Sequence, residues 1–274
     1  MKAFVLNLER HTDRRAAIEK QLQGRGIDYE ILPAVDGQKL SADTLAAIYA
    51  PAKTQEFLGR QLTMGEIGCA MSHCMALGRV VSDNLPAALI LEDDAFIGPM
   101  VKRVIDSLEE AVSRDNYDVC LLTYVAKYSA WGARDMPGTE SVLVPAIDAF
   151  HGYGYVVTNR GARQLIEYFS TIYHPFDYWN TFRRKRVIRV KAIVPYVIGQ
   201  SDLGAVSELD EERRRISAGV SFGYVEGMKR LVRRVLYEKF IYQMVKPMLR
   251  IRRQPKGALE KQFAESQVRN TTPE

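Results

Sequence analysis

Several common signatures are missing from the sequence. No run of about 18 apolar residues occurs, so the pattern predicts no membrane-spanning helix. The three cysteines, Cys69, Cys74 and Cys120, form no CxxC pair, which is typical of neither a disulfide framework nor a structural zinc site. P-loop, GxGxxG and GxSxG motifs are also absent, so ATPase, dinucleotide-binding and serine-hydrolase interpretations have no support. The first residues turn polar too early for a secretory signal, and we expect a cytoplasmic protein.

Basic charge is concentrated near the end of the sequence. The whole chain carries 38 Lys and Arg against 33 Asp and Glu, a formal net charge of +5. Residues 229–256 hold ten basic residues and one acid, Glu238, a net of +9, which leaves −4 (28 basic, 32 acidic) for the rest. Apolar residues recur there every three or four positions, with Pro247 as a break, so residues 223–256 are predicted to be a basic amphipathic helical segment.

An anionic membrane surface is the partner that this basic segment fits best. Two alternatives are a helix docked on its own core and the seam of a homodimer. Nothing else in the sequence is typical of a nucleic-acid-binding module, so we expect no nucleic-acid partner. Residues 257–274 are predicted to be a disordered tail, and residues 1–222 to be the folded domain.

Apolar strand-like segments alternate with helical patterns through the first 124 residues. This alternation predicts an α/β fold with a mostly parallel central sheet flanked by helices. Thr12, Ser41, Thr63 and Asn159 are predicted to cap helices. Residues 125–147, which contain Gly and Pro, are predicted to be a long loop.

The most informative stretch is an apolar run, Ala87–Leu91, that leads directly into Glu92, Asp93 and Asp94. Such a run is typical of a strand buried on both faces, and its carboxyl end is where open α/β sheets bind ligands. Three adjacent acids repel one another, so a positive partner is needed, and carboxylate oxygens suit Mg²⁺ or Mn²⁺. The alternative is a solvated acidic turn.

Two further clusters are candidates for binding. The chain leaves its first strand near Asn7, and the following helix start can face an anion with Arg10, Arg14 or Arg15 nearby, unless these arginines are merely solvated. Cys69 and His73 lie four residues apart on one helical face, but no fourth ligand follows at zinc-site spacing. We therefore expect no zinc there, and His73 is either packed in the core or binds substrate.

Six motifs in order resemble glycosyltransferase family 25, the lipopolysaccharide-biosynthesis glycosyltransferases related to collagen galactosyltransferases. They are Asn7–Arg10 with Asp13-Arg14, Ala34–Gly37, Leu62–His73, Leu91–Asp94, Gly154–Val157 with Gly161-Ala162, and Pro175–Asp177, followed by Gln200 and Ser207. The resemblance implies a GT-A-type nucleotide-sugar-binding fold, a UDP-sugar donor and a divalent metal, Mn²⁺ or Mg²⁺. It places the metal at Asp94 and Asp93. The implied donor-binding residues are Asn7, Arg10, Arg14, Asp36, Gly37, Ser72, His73, Glu92, Asp93 and Gln200.

The resemblance also implies an inverting galactosyltransferase that acts on a lipooligosaccharide or related lipid-linked or oligosaccharide acceptor, peripheral on the inner membrane. Inversion needs a carboxylate base, and Asp177, within an aromatic turn, is the candidate, with Asp148 and Asp202 as weaker ones. No histidine follows His174, so a late histidine metal ligand has no counterpart. The alternatives are a non-catalytic relative that binds glycan or a partner at the membrane, and a nucleotidyltransferase that forms sugar nucleotides.

Overall fold

The computed structural model describes residues 1–112, 114, 116–201, 247–255, 257 and 259. Within these residues the strands are β1 Ala3–Asn7, β2 Tyr29–Pro33, β3 Ala87–Glu92, β4 Ala95–Ile97, β5 Val119–Leu121, β6 Val125–Ser129, β7 Arg134–Asp135, β8 Val142–Ala149, β9 Gly154–Thr158, β10 Val190–Val194, β11 Ile198–Gln200 and β12 Ile251–Arg253. The helices are α1 Thr12–Gly24, α2 Ala42–Ile48, α3 Pro51–Leu58, α4 Met64–Ser82, α5 Val101–Ala111, α6 Asn159–Tyr168 and α7 Trp179–Arg184. A short 3₁₀ turn spans Gly37–Lys39.

One large sheet organises the fold. Its strand order is β12-β6-β8-β10-β5-β9-β3-β1-β2, with β7 beside β8. In the six strands from β10 to β2, five point the same way and only β9 runs against its neighbours. The predicted α/β fold with a mostly parallel central sheet is therefore confirmed. Beyond β10 the pairing of β8, β6 and β12 is antiparallel.

Helices cover both faces of this sheet. In β1, Phe4 and Leu6 point into the core shared with α4 and α6, whereas Ala3 and Val5 point into the core shared with α1 and α5. Strand β3 alternates between the same two cores. Burial on both faces explains why β3 is apolar without interruption, and it leaves the carboxyl ends of the strands as the place for polar side chains.

Two of the four predicted helix caps are confirmed. The Ser41 hydroxyl accepts from the Thr44 amide, and Thr63 forms a full capping box with Glu66. The predicted capping positions of the other two helices were each wrong by one residue. His11, not Thr12, is at the N-cap position of α1 and makes no side-chain cap, and Thr158 rather than Asn159 caps α6.

The prediction of a long loop at residues 125–147 was wrong. Strands β6, β7 and β8 occupy most of this stretch, and Gly132 and Gly138 adopt positive φ in the turns between them. The glycines therefore mark the turns that connect these strands. Helix α3 was also missed, although Pro51 stands at its first turn and Gly59 ends it at a φ of 76°.

Several predictions lie outside the described residues. They concern Asp202, Ser207, most of the predicted basic segment 223–256 and most of the predicted tail 257–274. Within the basic segment, residues 251–253 form β12, which pairs with β6 instead of continuing a helix. Leu259 is buried against Phe96 and Tyr196, so at least this part of the predicted tail packs on the domain. No helix in the described part of the chain has both the length and the apolar character needed to cross a bilayer.

Candidate active site

A cleft of about 590 Å³ opens at the carboxyl ends of β1 and β3. The first strand ends at Asn7 and the third at Glu92, and these strands are parallel neighbours, so the residues that follow them meet at one edge. Eleven of the residues proposed from the sequence line this cleft: Arg10, Arg14, Asp36, Gly37, Ser72, His73, Glu92, Asp93, Asp94, Asp177 and Gln200. Asn7 is buried and reaches the same place through its contact with Asp93.

Asp93 faces a group of donors from the N-terminal part of the chain. Its Oδ2 accepts a hydrogen bond from Asn7 Nδ2 at 2.8 Å and lies 3.5 Å from His11 Nδ1. Its Oδ1 lies 3.5 Å from Arg14 Nη1. Arg14 and His11 belong to the start of α1, where the helix dipole adds positive potential. The charge of Asp93 is thus balanced within the protein.

Asp94 has a different environment, although it is the next residue. Its side chain is only 8% exposed, and its Oδ2 accepts a hydrogen bond from Gln200 Nε2 at 2.9 Å. Its Oδ1 is buried and has no hydrogen-bond partner within the described chain. Burial, followed by the charge of Glu92, raises the pKa of Asp94 to about 7, against the lowering effect of the Gln200 hydrogen bond.

Glu92 points in a third direction, toward α4. Its Oε1 lies 3.4 Å from His73 Nε2, while His73 Nδ1 lies 3.0 Å from the Tyr155 hydroxyl. The imidazole also stacks on Phe176, with ring centroids 4.2 Å apart and planes at 6°. These contacts hold the His73 ring in one orientation, with Nε2 toward the acidic motif.

The first half of α4 holds the loop that carries Asp36 and Gly37. Ser72 Oγ accepts from the Val35 amide at 2.8 Å and donates to the Gly68 carbonyl at 2.7 Å. A Cβ on Gly37 would lie 1.8 Å from the Met64 carbonyl oxygen, and one on Gly68 would lie 2.6 Å from the Val35 carbonyl oxygen. Ser72 and both glycines therefore position the loop by close backbone packing.

Asp36 turns the loop toward the basic wall of the cleft. Its Oδ1 accepts from the Gln38 amide at 3.1 Å, which caps the 3₁₀ turn. Its Oδ2 pairs with Arg10 Nη1 at 2.6 Å. Asp36 and Arg10 are thereby fixed against each other at the mouth of the cleft.

Asp177 lies across Gly152 from Glu92. A Cβ on Gly152 would be 3.2 Å from Glu92 Oε1 and 3.6 Å from Asp177 Cβ, so Gly152 lies in close contact with both side chains. Trp179 anchors the aromatic turn, because its Nε1 donates to the His151 carbonyl at 2.9 Å. The weaker candidate Asp148 pairs with Lys127 and Asn180 and does not line the cleft.

Sequence reasoning missed several lining residues. They are His11, Cys69, His151, Gly152 and Tyr153. The sequence did carry a signal for His11, which directly precedes α1 in the segment already considered. Cys69 lies four residues before His73, but sequence spacing does not reveal the third member of their cluster, Glu92, because it comes from a different element.

These features define an α/β protein with an acidic motif and a cation-lined cleft at the carboxyl edge of its sheet. The family model described as Glycosyltransferase family 25 (LPS biosynthesis protein) matches residues 1–179. This match covers more than half of the sequence, and the chain belongs to glycosyltransferase family 25.

Curated relatives agree with this assignment. A glycosyltransferase 25 family member of Anopheles gambiae is 29% identical over 235 residues, which cover 77% of this chain and 39% of that protein. Procollagen galactosyltransferase 1 of Danio rerio is 28% identical over 216 residues, 72% of this chain and 36% of that protein. The chain thus spans less than half the length of these relatives.

Among solved structures, a glycosyltransferase involved in the glycosylation of the major capsid of PBCV-1 covers 79% of this chain and 98% of its own. It is 10% identical, with a TM-score of 0.41. Likeness at that level adds nothing to the family assignment.

Proposed function

We propose that the protein transfers galactose from UDP-galactose to a lipooligosaccharide or related glycan, with inversion at the sugar carbon. The observation that carries the proposal is Asp94, a buried carboxylate with one unpartnered oxygen beside a cleft lined by arginines. The names of the procollagen galactosyltransferase relatives support galactose as the sugar.

The residues present fit a divalent metal ion. Asp94 Oδ1 is a hard oxygen ligand without a donor among the described residues, and the neighbouring charges of Glu92 and Asp93 oppose its ionisation. A cation such as Mn²⁺ or Mg²⁺ relieves this repulsion. Asp94 would hold the ion, with Asp93 as the second carboxylate. When bound, the metal neutralises charge that develops on the leaving diphosphate.

The chain's own residues supply the remaining functions. Arg10 and Arg14 line the cleft and provide positive charge for the diphosphate, and Asn7 fixes the orientation of Asp93. The loop held by Ser72 and Gly37 would contact the nucleoside. Arg14 and Arg10 thus add diphosphate affinity that does not depend on the metal.

Asp177 is the proposed base. It lines the cleft across Gly152 from the acidic motif, on the side of the aromatic turn that holds Phe176 and Trp179. Aromatic rings near a carboxylate suit the apolar faces of a sugar acceptor. Asp177 would accept the proton of the acceptor hydroxyl as this oxygen attacks the sugar carbon from the face opposite the diphosphate.

The test is UDP release from a panel of UDP-sugars in the presence of an oligosaccharide acceptor, with Mn²⁺, with Mg²⁺ and with chelator. We expect turnover with UDP-galactose, and Asp94→Ala should lower kcat by at least about 10²-fold because it removes an electrostatic contact to the reacting groups. Asp148→Ala serves as the matched carboxylate control and should retain turnover. Wild-type turnover by Asp94→Ala, with unchanged circular dichroism, would contradict the metal assignment.

We further propose that the edge formed by β6 and β12 faces an anionic membrane at which the acceptor is presented. Trp131 is 68% exposed and Met248 is 79% exposed, and Ser129 Oγ bridges the Trp131 amide and the Leu249 carbonyl. Arg252 and Arg253 of β12 are both exposed. An exposed tryptophan beside arginines is typical of a membrane-interface contact.

Co-sedimentation with vesicles tests this surface. The protein should bind vesicles that contain anionic lipid and should stay in solution with zwitterionic vesicles. Trp131→Ser should weaken binding severalfold, whereas Met75→Ser, which removes an exposed methionine on α4, should not. Equal binding by all three proteins would exclude this edge as the contact.

A further inference from the structure

A cluster of three different ligand types, of which Asp94 is not a member, lies within the cleft. The ligand atoms of Cys69, His73 and Glu92 all lie within 4.8 Å of one another. Cys69 and His73 are one helical turn apart on α4, so their side chains project from the same face. Glu92, the last residue of β3, completes the group from the sheet.

From this cluster we infer a second metal site, selective for Zn²⁺, in which Cys69 Sγ, His73 Nε2 and Glu92 Oε1 are the protein ligands. Two N or O ligands about 2.1 Å from a tetrahedral ion lie about 3.4 Å apart. His73 Nε2 and Glu92 Oε1 are separated by 3.4 Å. A thiolate with an imidazole and a carboxylate favours Zn²⁺ over the hard ions Mg²⁺ and Mn²⁺.

The surroundings of His73 match those of a metal-binding histidine. Its Nδ1 lies 3.0 Å from the buried Tyr155 hydroxyl, and its ring is stacked on Phe176. A partner on the second ring nitrogen fixes the tautomer and aims the first at the metal. The ring is thus held ready for ligation through Nε2.

Three protein ligands leave a fourth position, which opens to the cleft because Cys69, His73 and Glu92 all line it. Water or an anionic oxygen in the cleft would complete the tetrahedron. Binding forms a zinc–sulfur bond and releases the thiol proton of Cys69 to solvent. The site differs from the Asp94 position in both ligand softness and direction.

Cys74 provides an internal control. It is on the same helix but one residue after His73, so it points about 100° away and packs against the core. Burial raises the pKa of the Cys74 thiol to about 12. The matched variants Cys69→Ala and Cys74→Ala therefore remove one thiol each, only one of which belongs to the site.

The experiment is a Co²⁺ titration of the full chain in excess Mg²⁺, without any sugar nucleotide, followed by displacement with Zn²⁺. We expect a thiolate-to-cobalt charge-transfer band in the wild type and in Cys74→Ala, and its loss in Cys69→Ala with unchanged circular dichroism. Glu92→Gln should weaken Co²⁺ binding by at least about tenfold.

The readout is binding alone, so it does not depend on whether the protein transfers galactose. No band in the wild type, a band that persists in Cys69→Ala, or unchanged affinity in Glu92→Gln would overturn the site. Displacement of Co²⁺ by Mg²⁺ rather than by Zn²⁺ would overturn its selectivity.

Discussion

Asp93 and Asp94 are consecutive carboxylates in one cleft, yet the protein treats them in opposite ways. Asp93 is surrounded by Asn7, His11 and Arg14, which compensate its charge within the fold. Asp94 is buried with one amide donor, Gln200, and a pKa raised to about 7. The comparison shows that adjacency in sequence does not give equal chemistry, because each side chain meets a different wall of the cleft.

This difference implies different roles for Asp93 and Asp94 in the proposed site. Asp93 already has Arg14 as a cationic partner, so a metal would bind Asp93 in competition with Arg14. A buried carboxylate with a pKa of about 7 is partly protonated at neutral pH, and a bound cation would favour its ionised form. Asp94 is therefore the side chain that should contribute most to the affinity for a metal. Asp93 is the side chain that connects the acidic motif to the start of α1.

The largest effect that we expect from this contrast is the contribution of Asp94 to the pH dependence of the free energy of unfolding, measured in the presence of a chelator. The folded-state pKa of Asp94, about 7, lies above the ordinary aspartate pKa of 3.8, so between these two pH values the native state holds a proton that the unfolded chain has lost. Between about pH 4 and pH 7 this group makes the free energy of unfolding fall as pH rises, by at most about 1.4 kcal/mol per pH unit. Asp94→Asn removes that slope.

Urea unfolding at pH 4.5, 6 and 8 provides the measurement, and the difference between the wild type and Asp94→Asn isolates this group from others that titrate. At pH 8 the variant should be more stable by a few kcal/mol, and saturating Mn²⁺ should narrow the gap by binding ionised Asp94. Asp106→Asn, which removes a half-exposed carboxylate on α5 that pairs with Lys102, should keep the wild-type slope. Parallel curves for wild type and Asp94→Asn would mean that Asp94 is not buried as described.

The loop that carries Asp36 and Gly37 depends on close backbone packing against α4. Two glycines of α4 can test this packing. A Cβ on Gly68 would lie 2.6 Å from the Val35 carbonyl oxygen, whereas a Cβ on Gly78 would meet nothing within 4 Å. Gly68→Ala should lower the free energy of unfolding by about 1–3 kcal/mol through overpacking. Gly78→Ala should raise it by up to about 1 kcal/mol, because alanine is the better helix former.

Urea denaturation of both variants separates the two effects. Gly68→Ala disturbs the contact between α4 and the loop rather than the helix itself. This variant should therefore also weaken the binding of UDP, whereas Gly78→Ala should leave UDP binding unchanged. If both alanines stabilise the protein, the loop does not pack on α4 as closely as the geometry requires.

Local signals account for the parts of this fold that could be predicted. The apolar run of β3 and the Thr63–Glu66 capping box are each contained within a few residues, and both are present as expected. Strands β6 and β8 could not be predicted in the same way, because β6 pairs with β12 more than 100 residues later and glycines interrupt the stretch. Pairing between distant segments leaves little trace in either one.

The same limit applies to the site. The sequence pointed to the arginines and most of the acids of the cleft, since they cluster at strand ends and in the family motifs, but it missed His11 and His151. It could not show which way each acid points, because Gln200 is 106 residues from Asp94 and His73 is 19 residues from Glu92. Those directions follow from how β11 and α4 pack against β3 and β4.

The smallest expected effect concerns the cations around Asp93. Arg14 Nη1 lies 3.5 Å from Asp93 Oδ1 inside the cleft, while the neighbouring Arg15 turns outward and pairs with Glu19 at 3.3 Å. Arg14→Gln should raise the KM for the UDP-sugar about tenfold with little change in kcat, because it removes charge that binds the ground state and the transition state equally. Arg15→Gln, the matched control, should leave both constants at wild-type values.

Steady-state kinetics at several salt concentrations would show the Arg14 effect shrinking as ionic strength rises. A fall in kcat with unchanged KM would instead assign Arg14 to the reacting groups and place Asp93 beside Asp94 in the chemistry, which would remove the contrast between the two acids.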